Sequence, residues 1–141
     1  MKANPTLFES GIHERGFKDR GITPRWFMKR LQQEFDFDFD PCPENWDKSF
    51  NGLEIEWKNR NYCNPPYSEK KKWITKAVQE QRKGRTTVMF LPVDTSTIWF
   101  HDLILPNAEI RWIKGRVKSD DGKIPFFASM LAIFWGLPID Q

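Results

Sequence analysis

The chain has 141 residues, 39% hydrophobic and 29% charged, which supports one packed domain and excludes a disordered chain. Its net charge of +3 permits contact with nucleic acid without demanding it; no apolar run is long enough to span a bilayer, and the N-terminus lacks the apolar stretch of a secretory signal. Cys42 and Cys63 are the only cysteines, so no disulfide framework is implied and a reducing cytoplasm is the natural home; with His13 and His101 they show no zinc-ligand spacing, and no metal is expected.

Residues 1–22 are polar, carry Gly11, Gly16 and Gly21, and read as an extended arm; residues 23–141 read as one domain. Thr23-Pro24 is a helix start, with Thr as the cap and Pro at the first helical position. Phe27, Leu31 and Phe35 recur every four residues and predict an apolar stripe to about residue 34. Phe35-Asp36-Phe37-Asp38-Phe39-Asp40 alternates strictly, which predicts a strand with Phe on one face and Asp on the other, stopped by Pro41 and Pro43. Leu53, Ile55 and Trp57 alternate with Glu54 and Glu56 and predict a second short strand. A helix is expected over about 69–82, with Trp73, Ile74, Ala77 and Val78 inward and Gly84 at its end.

Residues 86–91 are almost unbroken in apolar character, as in the centre of a covered parallel sheet. A short helix is predicted within 94–105, with Trp99 in the core. Strands follow at 109–113, with Trp112 also assigned to the core, and at 129–135. Asp121-Gly122 marks a turn between them. The alternation of strand and helix predicts an α/β fold with a mostly parallel sheet and an antiparallel C-terminal hairpin strand.

The most informative residues are Asn64-Pro65-Pro66-Tyr67, placed between a strand over 60–63 and the following helix. A strand ending in Asn-Pro-Pro-aromatic resembles the catalytic loop of enzymes that methylate an amino nitrogen. An amine conjugated to a ring is a poor nucleophile, because its lone pair is delocalised into that ring. Hydrogen bonds accepted from the amine favour a more pyramidal nitrogen. The side-chain oxygen of Asn64 and the carbonyl of Pro65 can each accept one. The two prolines stiffen the loop and bring no competing N–H, and Tyr67 offers a flat face to a base.

Further markers stand in order around that corner: Thr23-Pro24-Arg25-Trp26-Phe27, Phe37-Asp38-Phe39-Asp40-Pro41, Gly52-Leu53 with Trp57, Leu91-Pro92 with Thr95-Ser96, Lys114-Gly115-Arg116-Val117-Lys118, Pro125-Phe126 and Ser129-Met130. With them the chain, from about residue 22 to residue 135, resembles the phage-type DNA adenine methyltransferases, a family related to the Dam enzymes. The resemblance implies a shortened Rossmann-like methyltransferase fold, S-adenosylmethionine as methyl donor, adenine in DNA as substrate and, for a phage-encoded protein, the host cytoplasm. It implies catalytic roles for Asn64, Pro65, Pro66 and Tyr67, with Asn64 also bordering the cofactor. It sets Asp40-Pro41 at the opening of the cofactor loop, where a carboxylate at a strand end can hold an ammonium. It sets Thr23-Pro24 beside the methionine end, where a helix N-terminus suits a carboxylate.

The chain departs from the wider pattern at Pro41-Cys42-Pro43-Glu44-Asn45-Trp46, which holds no glycine, so the cofactor must sit differently or bind more weakly. No separate target-recognition domain is found, and a small domain of this kind suits a homodimer. Lys70, Lys71 and Lys72 follow the catalytic loop, and Arg116 and Lys118 lie near the closing hairpin, where phosphate contact is expected. Other readings stay open: an inactive methyltransferase-like domain that binds DNA or a partner, or an enzyme acting on cytosine or on protein glutamine.

Overall fold

Helix α1 (Arg25–Phe35) opens the region that the computed structural model describes, residues 21–139. The predicted arm lies outside the described residues up to residue 20. Leu31 and Phe35 form the helix's buried stripe, with Phe27 and Met28 packed beside them. The predicted Thr23 cap is not made. Pro24 keeps an extended backbone (φ −58°, ψ 143°) and is itself the residue before the first turn. Its carbonyl accepts from Met28 N at 2.9 Å, so the helix starts one residue later than Thr23 can serve.

The alternating Phe-Asp segment also departs from expectation. Phe35 belongs to α1, and Asp36 leaves the helix in the left-handed region (φ 52°), its N–H bonded to Gln32 O at 2.9 Å. What remains of the strand is one parallel bridge, Phe39 to Asn61. Two backbone bonds frame that bridge, Asp38 N to Arg60 O at 2.9 Å and Tyr62 N to Phe39 O at 3.0 Å, and side chains bond the backbone beside it. Gln32 accepts from Phe37 N at 3.2 Å and donates to Phe37 O at 3.3 Å, and Asp38 Oδ1 accepts from Arg60 N at 2.9 Å. The segment holding Leu53, Ile55 and Trp57 is a run of turns, not a strand. Asn51 captures Leu53 N with its side chain at 3.0 Å and Glu54 N with its carbonyl at 2.9 Å, a local alternative to strand pairing.

Strand β1 (Arg60–Cys63) leads through helix α2 (Lys70–Arg82) to β2 (Thr86–Pro92), and the two strands pair in parallel with Tyr62 opposite Val88. A π-helical turn, Phe100–Ile104, then precedes β3 (Glu109–Trp112) and β4 (Ser129–Phe134). β4 inserts between β2 and β3 and runs against both, so the sheet order is β1-β2-β4-β3. Three strands thus point one way and the last opposes them, as expected.

The period of two sorts the strands into two faces. Tyr62, Val88, Leu131 and Ile133 face α1 with Leu31 and Phe35, while Cys63, Met89, Leu91, Met130 and Phe134 face α2 with Trp73, Ile74 and Ala77. Trp99 joins the core, but Trp112 is 62% exposed, because β3 is the sheet's outer strand.

One buried charge was not foreseen. Glu80 on α2 is fully buried. It accepts from Trp57 N at 2.7 Å and from Arg85 Nη1 at 2.6 Å, and pairs with Lys83 at 3.2 Å and Lys76 at 3.6 Å. It therefore ties α2 to the segments entering both β1 and β2.

Candidate active site

At the end of β1 the chain turns through Asn64-Pro65-Pro66 into a single 3-10 turn, Tyr67–Glu69, before α2 begins. The prolines supply no N–H to this bend. Asn64 is 4% exposed, so its amide has left water and needs protein partners. Its Nδ2 donates to the Gly21 carbonyl at 2.5 Å and to Thr23 Oγ1 at 3.4 Å. A carbonyl oxygen can only accept, so the amide must present nitrogen to Gly21 and aim its oxygen the other way. The Thr23 hydroxyl is also bonded to the hydroxyl of Tyr62, two residues before Asn64.

Tyr67 is partly buried. Phe127 meets its ring edge-on, with centroids 5.5 Å apart and planes at 76°, and Lys70 Nζ lies 5.5 Å from its centroid and 5.9 Å from that of Trp99. A Cβ added at Gly21 would stand 2.6 Å from the Tyr67 hydroxyl, so the backbone at residue 21 passes directly over it.

Two cavities border this corner. The first, of about 460 Å³, lies between Pro41 and Pro66, with Glu44, Trp46, Glu69 and Trp73 in its wall. The second, of about 420 Å³, is bounded by Gly21, Tyr67, Phe90, Asp121 and Phe127, and Glu44 borders it as well. Both volumes fall within the roughly 300–1,000 Å³ typical of small-molecule sites. The Ser119 hydroxyl and the Lys123 N–H hold the Asp121 carboxyl below its ordinary value of 3.8.

The structure distributes the predicted cofactor residues unevenly. Pro41 lines the first cavity, while Asp40 uses Oδ1 to accept from Cys42 N at 2.9 Å and is not among the lining residues. Gly52 packs against this glycine-free loop. A Cβ at Gly52 would lie 1.9 Å from the Pro41 carbonyl, so the close backbone approach occurs there. Thr23 reaches Asn64 and Tyr62, and Pro24 is fully buried. The N–H at the start of α1 meets the Asp120 carboxylate, with Arg25 N 3.3 and 3.2 Å from its oxygens and Arg25 Nε at 3.5 Å.

Among the predicted phosphate contacts, Lys71 and Lys118 are exposed. Lys72 pairs with Glu69 at 3.3 Å, and Arg116 donates to the Pro125 carbonyl at 3.2 Å. The connection between β3 and β4 carries Arg116 and Lys118 and also gives Lys123 and Phe127 to the second cavity.

Gly21, Tyr62, Glu44 and Phe127 escaped the sequence reading. Tyr62 could have been found, because it is two residues from Asn64 on the same side of an extended chain. Gly21 lies 43 positions from its partner, and nothing local announces that contact.

Comparison with known proteins bears on this geometry. The chain is 36% identical over 122 residues, 77% of its length, to a protein of Haemophilus phage HP1 (strain HP1c1) named DNA N-6-adenine-methyltransferase. It is 30% identical over 114 residues, 73% of its length, to a protein of the same name from Escherichia phage T1. It spans 66% of the first relative and 48% of the second. No solved structure matches it. Residues 13–130, from the arm through the start of β4, match the family described as DNA N-6-adenine-methyltransferase (Dam), and the chain belongs to that family.

Proposed function

We propose that the protein transfers a methyl group from S-adenosylmethionine to the exocyclic amine of an adenine flipped out of DNA. The observation that carries this reading is the state of Asn64. Its nitrogen is committed to Gly21 and Thr23, which leaves the amide oxygen to accept from an incoming amine. Family membership and the phage relatives' names support the same chemistry. The parallel β1–α2–β2 unit and the inserted antiparallel β4 support a shortened Rossmann-like methyltransferase fold.

The residues around the first cavity fit the donor. Glu44 and Glu69 offer carboxylates to an ammonium or to ribose hydroxyls, and Trp46 and Trp73 offer aromatic faces to adenine or to a cation. Bound S-adenosylmethionine would supply an electrophilic methyl group on its sulfonium.

The second cavity suits the base. Tyr67, Phe127 and Phe90 give it aromatic walls. Base flipping costs about a few kcal/mol, and stacking on an aromatic ring returns roughly 1–3 kcal/mol. Asn64 Oδ1 and the Pro65 carbonyl accept the two amine hydrogens, which localises the lone pair and aims it toward the first cavity. The nitrogen sheds its proton after the new bond has formed, so no general base is needed first. Positioning then supplies most of the rate.

Asn64→Ala tests this directly. Methylation of DNA by labelled donor should vanish, while calorimetric titration shows donor binding retained. Full activity in the variant would remove Asn64 from the mechanism.

A further inference from the structure

We infer that residues 21–23, locked by Tyr62, form a positioning brace for Asn64 and that Thr23 acts there and not as a cofactor ligand. The inference rests on the reading that Asn64 accepts a hydrogen bond from the substrate amine. A primary amide carries its donor and acceptor at opposite ends of one plane, and a half-turn exchanges them. Catalysis tolerates only one of the two arrangements. The Gly21 carbonyl, 2.5 Å from Nδ2, selects it, because a flipped amide would press one oxygen against another.

Thr23 is the second clamp, and its chemistry is ambiguous by itself. A hydroxyl could accept from Nδ2 or, rotated, donate to Oδ1. The fixed position of Nδ2 removes the choice, and Tyr62 holds the Thr23 oxygen in place. Its ring is held in the core, 4% exposed and 5.4 Å from the centroid of Phe37, and its hydroxyl meets that of Thr23. With Nδ2 already bonded to Gly21, the Thr23 oxygen accepts from it, and the hydroxyl proton points away from Asn64. The same short segment fixes the neighbouring ring, since the backbone at Gly21 leaves no room for a Cβ beside the Tyr67 hydroxyl. One tripeptide from outside the catalytic loop thereby sets both the acceptor oxygen and the stacking face.

Thr23→Val keeps the shape and deletes the hydroxyl, Thr23→Ser restores it, and Tyr62→Phe leaves Thr23 free to rotate. Thr23→Val should lower kcat by about 10- to 100-fold, in line with small misplacements of catalytic groups. Donor affinity and KM for DNA should stay at wild-type values. Thr23→Ser should recover most of the rate.

A second readout is independent of turnover. The side-chain amide protons of Asn64, assigned in 15N spectra by their loss in Asn64→Ala, should exchange slowly with water. They should shift and exchange faster in Thr23→Val and Tyr62→Phe. Weakened donor binding with unchanged kcat in Thr23→Val would make Thr23 a cofactor contact and overturn the brace. So would an amide signal indifferent to both substitutions. A wild-type protein that transfers no methyl group, yet shows the predicted amide behaviour, would contradict the proposed reaction and leave the brace standing.

Discussion

A polar side chain taken out of water must be matched atom by atom, and at Asn64 the matching fixes which end of the amide faces Gly21. Glycines make that packing possible at two points. At residue 21 a methyl group would meet the Tyr67 hydroxyl at 2.6 Å, and at residue 52 it would meet the Pro41 carbonyl at 1.9 Å. The first neighbour is a side chain and can shift; the second is backbone and cannot do so cheaply. Gly21→Ala should therefore leave stability nearly intact and reduce methylation, visible as lower activity at an unchanged melting temperature. Gly52→Ala should lower the melting temperature and weaken donor binding together, because the loop lining the first cavity must move. The Asn-Pro-Pro-Tyr bend between strand and helix was legible in the sequence because it is local to four residues. Its partners were not, because Gly21 and Thr23 arrive from 43 and 41 positions away.

At the level of elements, the connection from β3 to β4 joins the second cavity to a basic surface. Lys118 is exposed, whereas Arg116 is tied to the Pro125 carbonyl and serves the loop's own shape. Each phosphate contact contributes about 0.9 to the slope of log affinity against log salt. Lys118→Gln should reduce that slope by about one such contact, measured by DNA binding across a salt series. Arg116→Gln should disturb loop geometry as well, and so change kcat besides the slope. The two long helices and strands β2, β3 and β4 were legible from apolar patterning, down to the opposing last strand, whereas β1 was placed by the motif that follows it. The two failed strands share a cause. Phe-Asp alternation and Leu53-Ile55-Trp57 alternation both fit a period of two, but Gln32 and Asn51 satisfy nearby backbone with side chains, and the first segment keeps only the bonds of one bridge to residues 60–62. Alternation reports which side chains could share a face; it does not report where the hydrogen bonds go.

Across the whole molecule, Glu80 holds the second helix to the chain on either side of it, and so holds the Asn64–Tyr67 corner to the sheet. Burial pushes its carboxyl up, but the Trp57 N–H, Arg85, Lys83 and Lys76 outweigh burial and bring it below its ordinary value of 4.5. A depressed carboxyl contributes stability that is present above the unfolded-state value and is lost as pH falls through the folded one. Glu80→Gln should cost about 3 kcal/mol near neutrality, the lower end for a broken buried pair, because Arg85 and Lys83 retain access to water. The gap between variant and wild type in urea denaturation should close as pH drops below 4.5. Among the described residues no helix is long and apolar enough to cross a membrane. The central claim is that the Asn64 corner receives an adenine amine beside a sulfonium donor. Nucleoside analysis of DNA treated with the protein and labelled S-adenosylmethionine tests it most directly. The label should appear in N6-methyladenine alone; label in a cytosine derivative, or none in DNA while the donor binds, would contradict it.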